Sequence, residues 1–220
     1  MAARAHLAVK LAREARCEAL VDKLRTAYKD SKGKGKQVYV PWRDETALID
    51  IYRDSQLSDA DRGWIWTLFE ENMRSLYERS SEGYDPEEKR AELFHPEARF
   101  LLLRSAQDPI KPPLGYCIFR FDTEETEAEE GEDDLCDVAY CYELQIESAA
   151  QKQGVGRVLM DALERLARAY KMDKTMLTAF KNNTDAVAFY QRIGFATDEA
   201  DPSQYGIEDV DYVILSKFCN

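Results

Sequence analysis

The sequence predicts an α+β domain in which a mixed, mostly antiparallel sheet is flanked by helices. Three observations lead to this fold class. Helical patterns dominate the N-terminal third, a group of strand-like segments follows, and strand and helix patterns then alternate to the C-terminus. With 220 residues, 45% of them apolar, the chain can bury one well-formed core.

The N-terminal region is predicted to form an extra long helix. Residues 3–29 are rich in helix formers. Apolar side chains recur there at four-residue spacing, namely Leu7 and Leu11, then Leu20, Leu24 and Tyr28. The segment SKGKGKQ at 31–37 has the composition of a Gly/Lys linker. We therefore expect residues 1–37 to be a basic helix and linker packed on or beside a domain formed by residues 38–220.

The middle of the chain carries two helices and four strand-like segments. Ser58 is suited to cap a helix that runs to about Ser80, and DPEEKRAELF from Asp85 predicts a shorter helix. The strand-like segments are 46–53, 98–105, 113–122 and 139–148. The last two flank an acidic segment, so they predict a hairpin with a loop too long for a tight turn.

The pattern then changes to alternating helices and strands. QKQGVGRVLMDALERLARAYKM predicts a helix that opens on Gly154-Val155-Gly156. The segment 174–180 predicts a strand, NNTDAVAFYQRIGF a short helix that ends at Gly194, and 209–218 a terminal strand.

Negative charge is concentrated in one segment. The net charge is −12, and ten of the 42 acidic residues lie between Asp122 and Asp137, with no Lys or Arg among them. Residues 1–40, in contrast, hold ten Lys or Arg and four Asp or Glu. The acidic segment is therefore expected to attract a basic partner.

Several classes of protein are disfavoured by composition. No window approaches the ~18 consecutive apolar residues of a membrane span, and the N-terminus mixes charged with apolar residues. The five cysteines are scattered without a CxxC pair, and there are only two histidines, His6 and His95. We expect a protein of a reducing compartment without a disulfide framework, a zinc site or haem.

The loop before the helix at Val155 has the features of an anion site. Its glycines let the backbone approach a ligand, and the free N–H groups of a helix start suit a pyrophosphate. Alone the pattern is weak, because an ordinary strand-to-helix turn looks the same. A Rossmann dinucleotide site is disfavoured, since Leu159 stands where the third glycine of GxGxxG belongs.

The order of motifs around this loop resembles the acyl-coenzyme A binding half of the GNAT superfamily of N-acetyltransferases. It runs ELQIES, QxxGxG, amphipathic helix, TMLTAF and then NNTDAVAFYQRIGF. The resemblance implies acetyl-CoA as co-substrate, no metal, and Tyr190 as the donor to the departing thiolate. The implied cofactor residues are Leu144, Gln145 and Ile146 for pantetheine, Lys152, Gln153, Gly154, Val155, Gly156 and Arg157 for pyrophosphate, and Asn183 for the cofactor arm.

Further segments are similar to the N-terminal acetyltransferase D family, which acetylates the α-amino group of histones H4 and H2A. They are NMRSLYERSSEGY, FRFDTE, YCYELQIES, LTAFKNN and the closing Asp211-Tyr212, spread from about Trp64 to Lys217. This similarity implies direct acetyl transfer in a ternary complex. The residues implied for the peptide N-terminus are Tyr77, Tyr142, Thr178 and Tyr212, with Asp122 and Glu124 on the arginine of a Ser-Gly-Arg-Gly start.

Two features depart from that family's pattern. Family members can carry a tryptophan before the glycine of the loop after the long helix, whereas here Glu82 precedes Gly83 and Tyr84 follows. The acidic loop also looks extended, and its outer part from Glu125 to Asp134 inherits no role. A solvated loop is the simpler interpretation of that outer part.

Glu143 is the candidate general base. An α-ammonium group, with a pKa of about 7.7–8.0, must lose a proton before it attacks a thioester. A strand carboxylate at a splayed part of the sheet could take that proton directly or through a water. Taken alone, Glu143 would more simply face solvent and Tyr142, Tyr190 and Tyr212 would pack. Within the motif, Tyr142 and Tyr212 are expected to orient the first substrate residue.

Asp122 and Glu124 are two residues apart at the end of a predicted strand. If the strand geometry persists, both side chains point to the same face and can bind one guanidinium. Charge-assisted hydrogen bonds of about 1.5–3 kcal/mol each are enough to select substrates with arginine.

Two alternative functions stay open. A lysine or polyamine acetyltransferase would share the cofactor site, and a catalytically silent acidic histone-binding module would share the fold. A Cys-His nucleophile is disfavoured, because His6 and His95 lie in polar stretches without a partner motif. We expect a monomer in cytoplasm and nucleus that binds histone H4 and H2A tails, with no membrane or sequence-specific nucleic-acid partner. The basic N-terminal helix serves either as a solvated stabilising helix or for ribosome docking.

Overall fold

The computed structural model describes residues 6–29, 35, 37–81, 83–109, 111–126, 135–207 and 209–219. In this part of the chain the strands are β1 (Gln37–Trp42), β2 (Glu45–Arg53), β3 (Arg99–Ser105), β4 (Gly115–Glu125), β5 (Leu135–Ile146), β6 (Lys174–Phe180), β7 (Ala196–Thr197) and β8 (Tyr212–Phe218). The helices are α1 (Leu7–Glu14), α2 (Cys17–Tyr28), α3 (Asp59–Tyr77), α4 (Pro86–Leu93), α5 (Val155–Ala169) and α6 (Thr184–Arg192).

The strands form one sheet in the order β1-β2-β3-β4-β5-β6-β8-β7. Neighbouring strands are antiparallel except for β5 and β6, which are parallel. The predicted α+β class with a mixed, mostly antiparallel sheet is therefore confirmed. β1 and β7 were not predicted from the sequence. β1 contains Pro41, which an edge strand tolerates because one of its sides needs no N–H donors.

Helices cover both faces of the sheet. Helices α1, α2, α5 and α6 pack on one face around residues such as Leu24, Leu163 and Phe119. Helices α3 and α4 pack on the other face around residues such as Phe69 and Tyr116. Because both faces are covered, β3 is an uninterrupted apolar run from Phe100 to Leu103.

The prediction of one long N-terminal helix is wrong. The segment forms α1 and α2, separated by extended backbone at Ala15 and Arg16. Arg53 Nη2 donates to the Ala15 carbonyl at 2.9 Å and Arg99 Nη2 to the Arg13 carbonyl at 2.7 Å, so side chains from the sheet satisfy the carbonyls that end α1.

The apolar face of α1 was also assigned wrongly. Leu7 and Leu11 are 63% and 56% exposed, whereas Val9 and Ala12 are buried in the core. In α2, Leu20 and Leu24 are buried as expected. Most of the predicted Gly/Lys linker lies outside the described residues, and its last residue, Gln37, begins β1.

The hairpin around the acidic segment is confirmed, with longer strands than predicted. β4 extends to Glu125, and β5 starts at Leu135, which pairs with Glu125. Residues 127–134, which contain most of the proposed acidic loop, lie outside the described residues.

A buried ion pair holds the beginning of β6. The Lys174 ammonium is 2.9 Å from Asp198 Oδ2 and 2.9 Å from Glu199 Oε1, and the side chains of Lys174 and Asp198 are each 2% exposed. Removal of the cation leaves the Asp198 carboxylate buried without its counter-charge.

We expect Lys174→Met to lower the free energy of unfolding by about 3 kcal/mol in urea denaturation. The double variant Lys174→Met/Asp198→Asn should recover much of that loss, since it removes the unpaired charge as well. The matched control is Lys217→Met, because Lys217 pairs with Glu164 at 2.8 Å but is 32% exposed. An equal loss in the two single variants contradicts the prediction.

Two further properties concern the described part of the chain. None of its helices is both long and apolar enough to cross a membrane. Within the same residues, no group of three or more His, Cys, Asp or Glu side chains is placed to hold a metal ion.

Candidate active site

The sheet opens between β5 and β6, and a large cavity lies at the opening. The two strands pair only at residues 138–141 and 174–177, although both continue beyond these pairs. A cavity of about 1110 Å³ lies there, with walls from α3, α4, β5, α5, β6 and α6. Its size suits an extended ligand together with a second substrate.

A β-bulge shapes the middle of β5. Ile118 of β4 pairs with Glu143 and Phe119 pairs with Cys141, so Tyr142 is the extra residue. The Tyr142 ring lies 4.0 Å from the guanidinium of Arg120, which donates to the Glu92 carbonyl in α4. Glu143 accepts from Gln145, which in turn accepts from α3, so Glu143 faces that helix. The bulge thus directs two consecutive side chains to the same side of the sheet.

The loop between β5 and α5 presents backbone N–H groups to the cavity. Lys152 and Gly154 have φ values of 58° and 87°, a left-handed conformation that glycine adopts without strain. The Val158 N–H makes the first bond of α5, to the Gly154 carbonyl at 3.1 Å, so the preceding amides are available. The first turn carries no acidic residue, and the positive end of the helix dipole suits a pyrophosphate.

Gly156 is required for the close approach of α5 to α6. A Cβ atom at this position would lie 3.2 Å from Cζ of Phe189. We expect Gly156→Val to raise the Kd of coenzyme A at least about tenfold in isothermal titration calorimetry, because the added methyl groups displace the first turn of α5.

The matched control is Gly63→Val in α3, where an added Cβ meets nothing within 4 Å. Its Kd should stay within about twofold of the wild type. An unchanged Kd in a folded Gly156→Val protein would show that this contact does not shape the anion site.

The β1–β2 hairpin supports this loop from outside. Trp42 Nε1 donates to the Gln153 carbonyl at 2.9 Å, and Arg43 reaches the Gln153 side-chain oxygen at 3.3 Å. Gln153 in turn donates to the Ala149 carbonyl at 2.7 Å. This contact of Trp42 could not be predicted from the sequence, because a partner 111 positions away leaves no local signal.

Most residues predicted for the cofactor lie together around the cavity. Those that line it are Leu144, Gln145, Ile146, Lys152, Gly154, Val155, Gly156, Arg157 and Asn183. Gln153 is outside this lining and braces the loop instead. Asn183 also caps α6, where its side-chain oxygen accepts from the Ala186 N–H at 3.3 Å.

Glu143 is one of the residues that line the cavity. Glu143 is only 8% exposed, and its Oε1 accepts a hydrogen bond from Gln145 Nε2 at 2.6 Å. Burial raises the pKa of Glu143 to about 7, against the hydrogen bond from Gln145 and the charge of Lys89, which lower it. A carboxyl group with this pKa can exchange a proton near neutral pH.

Tyr190 faces the same cavity from α6. It is buried between Phe189 and Phe195, with ring centroids 5.1 and 5.9 Å away. Burial, followed by nearby Cys141 and Glu143, raises the pKa of its hydroxyl well above the usual value. The hydroxyl therefore stays protonated and can act as a hydrogen-bond donor.

Aromatic side chains line the other half of the cavity. Tyr77, Tyr142 and Tyr212 all border it. The Tyr77 ring packs edge-on against Phe180 at 4.7 Å, and Tyr84 lies 6.2 Å from Tyr77. Tyr84 thus extends this aromatic group behind the cavity lining, while Glu82 is outside the described residues.

Thr178 stands where β5 and β6 separate. Its hydroxyl is 2.6 Å from the Tyr140 hydroxyl, so a side-chain hydrogen bond continues the connection between the strands beyond their last backbone pair. Both residues line the cavity. Tyr140 was not predicted, although its place in YCYELQIES two residues before Tyr142 put it on the same strand.

Two cationic side chains close to the site, Arg120 and Lys89, were not predicted from the sequence. The Arg120 guanidinium lies 4.0 Å above the Tyr142 ring and donates to the Glu92 carbonyl at 2.6 Å. Lys89 lies 4.4 Å from the centre of the Tyr77 ring and 2.6 Å from Glu92 Oε2. The charge of Lys89 acts to lower the pKa of Glu143, and that of Arg120 acts to lower the pKa of Tyr142.

Asp122 and Glu124 have different surroundings. Both lie on β4 at alternate positions, as predicted, but only Glu124 lines the cavity. Asp122 Oδ1 forms an ion pair with Arg13 of α1 and accepts from the Thr123 N–H at 2.8 Å. Burial, followed by the charges of Asp122 and Glu125, raises the pKa of Glu124.

Asn72 is a further polar residue of the site that sequence reasoning missed. It lines the cavity and donates to Gln145 Oε1 at 2.8 Å. A signal was present in the sequence, because Asn72 continues the spacing of the buried residues Ile65, Leu68 and Phe69 along α3. A polar side chain within an apolar stripe indicates a specific partner.

A comparison with family models matches residues 65–195, more than half of the chain, to the model described as the acetyltransferase (GNAT) family. The match begins in α3 and ends just after α6, so it contains the cavity-lining residues described above except Tyr212.

Solved structures with the same fold include both bacterial and eukaryotic acetyltransferases. The GNAT domain of S. lividans PAT is 14% identical with a TM-score of 0.56, and the alignment covers 83% of this chain and 96% of that one. Arabidopsis thaliana NAA60, in complex with a bisubstrate analogue, is 12% identical with a TM-score of 0.53, covering 77% and 97%. A chain of the NatC complex bound to Gag peptide and CoA is 16% identical with a TM-score of 0.52, and the alignment covers 78% of this chain and 98% of that one. At these identities the likeness concerns the fold.

Proposed function

Because this chain belongs to the acetyltransferase (GNAT) family, we propose that it transfers the acetyl group of acetyl-CoA to the α-amino group of histone H4 and H2A N-termini. The observation that carries the proposal is a buried carboxyl group, Glu143, placed where the sheet opens and next to a cavity large enough for both substrates. GNAT acetyltransferases use acetyl-CoA as co-substrate, and the residues present fit it.

The cofactor half of the cavity is formed by β5 and the start of α5. Beyond Cys141, β5 has no backbone pair with β6, so its edge is open to a pantetheine chain. The amides at the start of α5, with Lys152 and Arg157, would hold the pyrophosphate. Bound acetyl-CoA supplies a thioester carbonyl to an attacking amine.

The protein's part of the reaction is proton transfer. Glu143 accepts the proton that the α-ammonium group must lose, and its pKa of about 7 lies close to the pKa of about 7.7–8.0 of that group. The Tyr190 hydroxyl donates a hydrogen bond to the departing sulfur. Tyr142 and Tyr212 orient the first residue of the substrate from the cavity wall.

The match of pKa values favours an α-amine over a lysine side chain. The pKa of a lysine ammonium, about 10.4, lies more than two pH units further above the pKa of Glu143 than the pKa of an α-ammonium group does. A base of this strength would leave most lysine amines protonated. A lysine or polyamine substrate would therefore need the cavity to lower the pKa of its own amine further than an α-amine does.

Substrate arginine is assigned first to Glu124. Glu124 borders the cavity beside Tyr140, whereas one oxygen of Asp122 already binds Arg13. A guanidinium that binds Glu124 can share the remaining oxygen of Asp122, since the two residues lie on the same strand face. This arrangement supports a Ser-Gly-Arg-Gly start over a start without arginine.

The proposal also includes the partners and the location of the protein. Histone tails as substrate imply a cytoplasmic and nuclear protein, and direct transfer within one cavity needs no second copy of the chain. The two N-terminal helices pack on the sheet, which favours stabilisation of the domain over ribosome docking.

The experiment that tests the function uses one peptide in two forms. The protein is incubated with acetyl-CoA and Ser-Gly-Arg-Gly-Lys, with either a free or a blocked N-terminus, and the acetyl group is located by fragmentation mass spectrometry. Acetylation of the α-amine of the free peptide alone is the expected result. Acetylation of the blocked peptide at lysine contradicts the proposal, and binding without turnover supports a silent histone-binding module.

A further inference from the structure

The side chain of Gln145 connects the proposed base to α3. Gln145 and Glu143 are two residues apart on β5 and point to the same side. Both are buried, and the Gln145 Nε2 group donates to Glu143 Oε1 at 2.6 Å. The contact favours the ionised carboxylate only when the NH₂ end of the amide faces Glu143, because the oxygen end can only accept a hydrogen bond.

Asn72 determines which end of the Gln145 amide faces Glu143. Asn72 Nδ2 donates to Gln145 Oε1 at 2.8 Å and to the Ile146 carbonyl at 3.3 Å. Since the Ile146 carbonyl can only accept, the NH₂ end of Asn72 must face β5. Gln145 must then turn its oxygen toward Asn72 and its NH₂ group toward Glu143.

We propose that Asn72 is a positioning residue for the reaction: it fixes the orientation of the Gln145 amide and so keeps the Glu143 carboxylate able to accept the substrate proton. The inference rests on the proposed function, in which Glu143 is the base. It adds a role for a helix residue that faces the cavity but lies outside the cofactor loop.

Other groups also face Glu143 and influence its titration. On α3, α4, β4 and α6 they are Tyr77, Lys89, Glu92, Tyr116, Cys117 and Tyr190. Burial raises the pKa of Glu143 most, the Gln145 hydrogen bond is the largest opposing effect, and Lys89 and the Leu144 N–H act in the same direction as Gln145. Loss of the Gln145 donor should therefore raise the pKa further.

The test replaces Asn72 by leucine, which is similar in size and has no polar side-chain atoms. The carboxyl carbon of Glu143 is titrated by ¹³C NMR in the protein without acetyl-CoA or peptide, and its signal is assigned by its loss in Glu143→Gln. We expect the midpoint to rise by about one pH unit. The acid limb of kcat/KM should move to higher pH by the same amount, while KM for acetyl-CoA and the rate above pH 9 stay within about twofold.

Two further variants separate positioning from a structural role. Gln145→Leu should raise the midpoint as Asn72→Leu does, and the double variant should not exceed Gln145→Leu alone, since both break one chain of hydrogen bonds. Glu71→Gln, an exposed neighbour on α3, should leave the midpoint unchanged. If Asn72→Leu does not fold, Asn72→Ala allows the same titration with a smaller side chain that also has no polar atoms.

An unchanged midpoint in a folded Asn72 variant, or additive shifts in the double variant, overturns the inference. Such a result leaves the proposed function intact, because the titration needs no substrate. Full activity of Glu143→Gln is a different failure, which contradicts the role of Glu143 as base and with it the premise of this inference.

Discussion

Glu143→Gln is expected to lower kcat/KM for a Ser-Gly-Arg-Gly peptide by roughly a hundredfold to a thousandfold at pH 7.5. Glutamine has the same shape but cannot take a proton from the α-ammonium group. KM for acetyl-CoA should change little, because the side chain faces α3 and the amide of Gln145. The loss should therefore appear in kcat, measured in a steady-state assay of coenzyme A release.

The same role of Glu143 predicts how kcat/KM depends on pH. A base acts in its ionised form, so wild-type kcat/KM should rise with pH through about 7, the pKa to which burial raises Glu143, and then level off. In Glu143→Gln the rise should instead follow the α-amine of the peptide, near pH 7.7–8.0, because only an amine that is already neutral can then attack. The matched control is Glu147→Gln. Glu147 directly follows β5, accepts from Trp64 Nε1 at 2.5 Å and is outside the cavity lining. Equal activity of the two variants would remove Glu143 as the base.

Glu124→Gln is expected to lower kcat/KM for Ser-Gly-Arg-Gly-Lys by about 10- to 100-fold and to leave Ser-Gly-Ala-Gly-Lys nearly unchanged. The physical reason is the loss of a charge-assisted hydrogen bond of about 1.5–3 kcal/mol to the substrate guanidinium. The measurement is the ratio of kcat/KM for the two peptides, which cancels any general effect of the substitution.

The control for this prediction is Glu125→Gln, the next carboxylate on β4, which is exposed and outside the cavity lining. It should keep the wild-type preference for arginine. The prediction fails if Glu124→Gln slows both peptides equally, because Glu124 would then affect the fold of the cavity and not the choice of substrate.

Local sequence signals predicted several of the elements that surround the cavity. Ser58 accepts from the Asp61 N–H at 3.0 Å, as expected of a helix cap, and α5 begins at Val155. Signals of this kind act within a few residues, so they are readable without the fold. The same holds for the hairpin of β4 and β5, which was predicted from two strand-like segments on either side of the acidic segment.

Features set by distant contacts could not be predicted. Ala15 and Arg16 are good helix formers, but α1 ends before them because arginines from the sheet bind its last carbonyls. The pairing of Asp122 with Arg13 joins residues 109 positions apart. The bulge at Tyr142 likewise depends on the register of β4, and nothing in YCYELQIES alone reveals it.

The central claim is that one cavity holds acetyl-CoA and a peptide α-amine together, and two bisubstrate conjugates test it most directly. In one, coenzyme A is joined through an acetyl bridge to the α-nitrogen of Ser-Gly-Arg-Gly-Lys; in the other, the same bridge is attached to the lysine side chain of the N-terminally blocked peptide. Calorimetric titration should give a Kd for the first conjugate at least about 100-fold below that of coenzyme A alone, and for the second a Kd close to that of coenzyme A. Equal affinity of the two conjugates, or tighter binding of the lysine conjugate, would contradict the account.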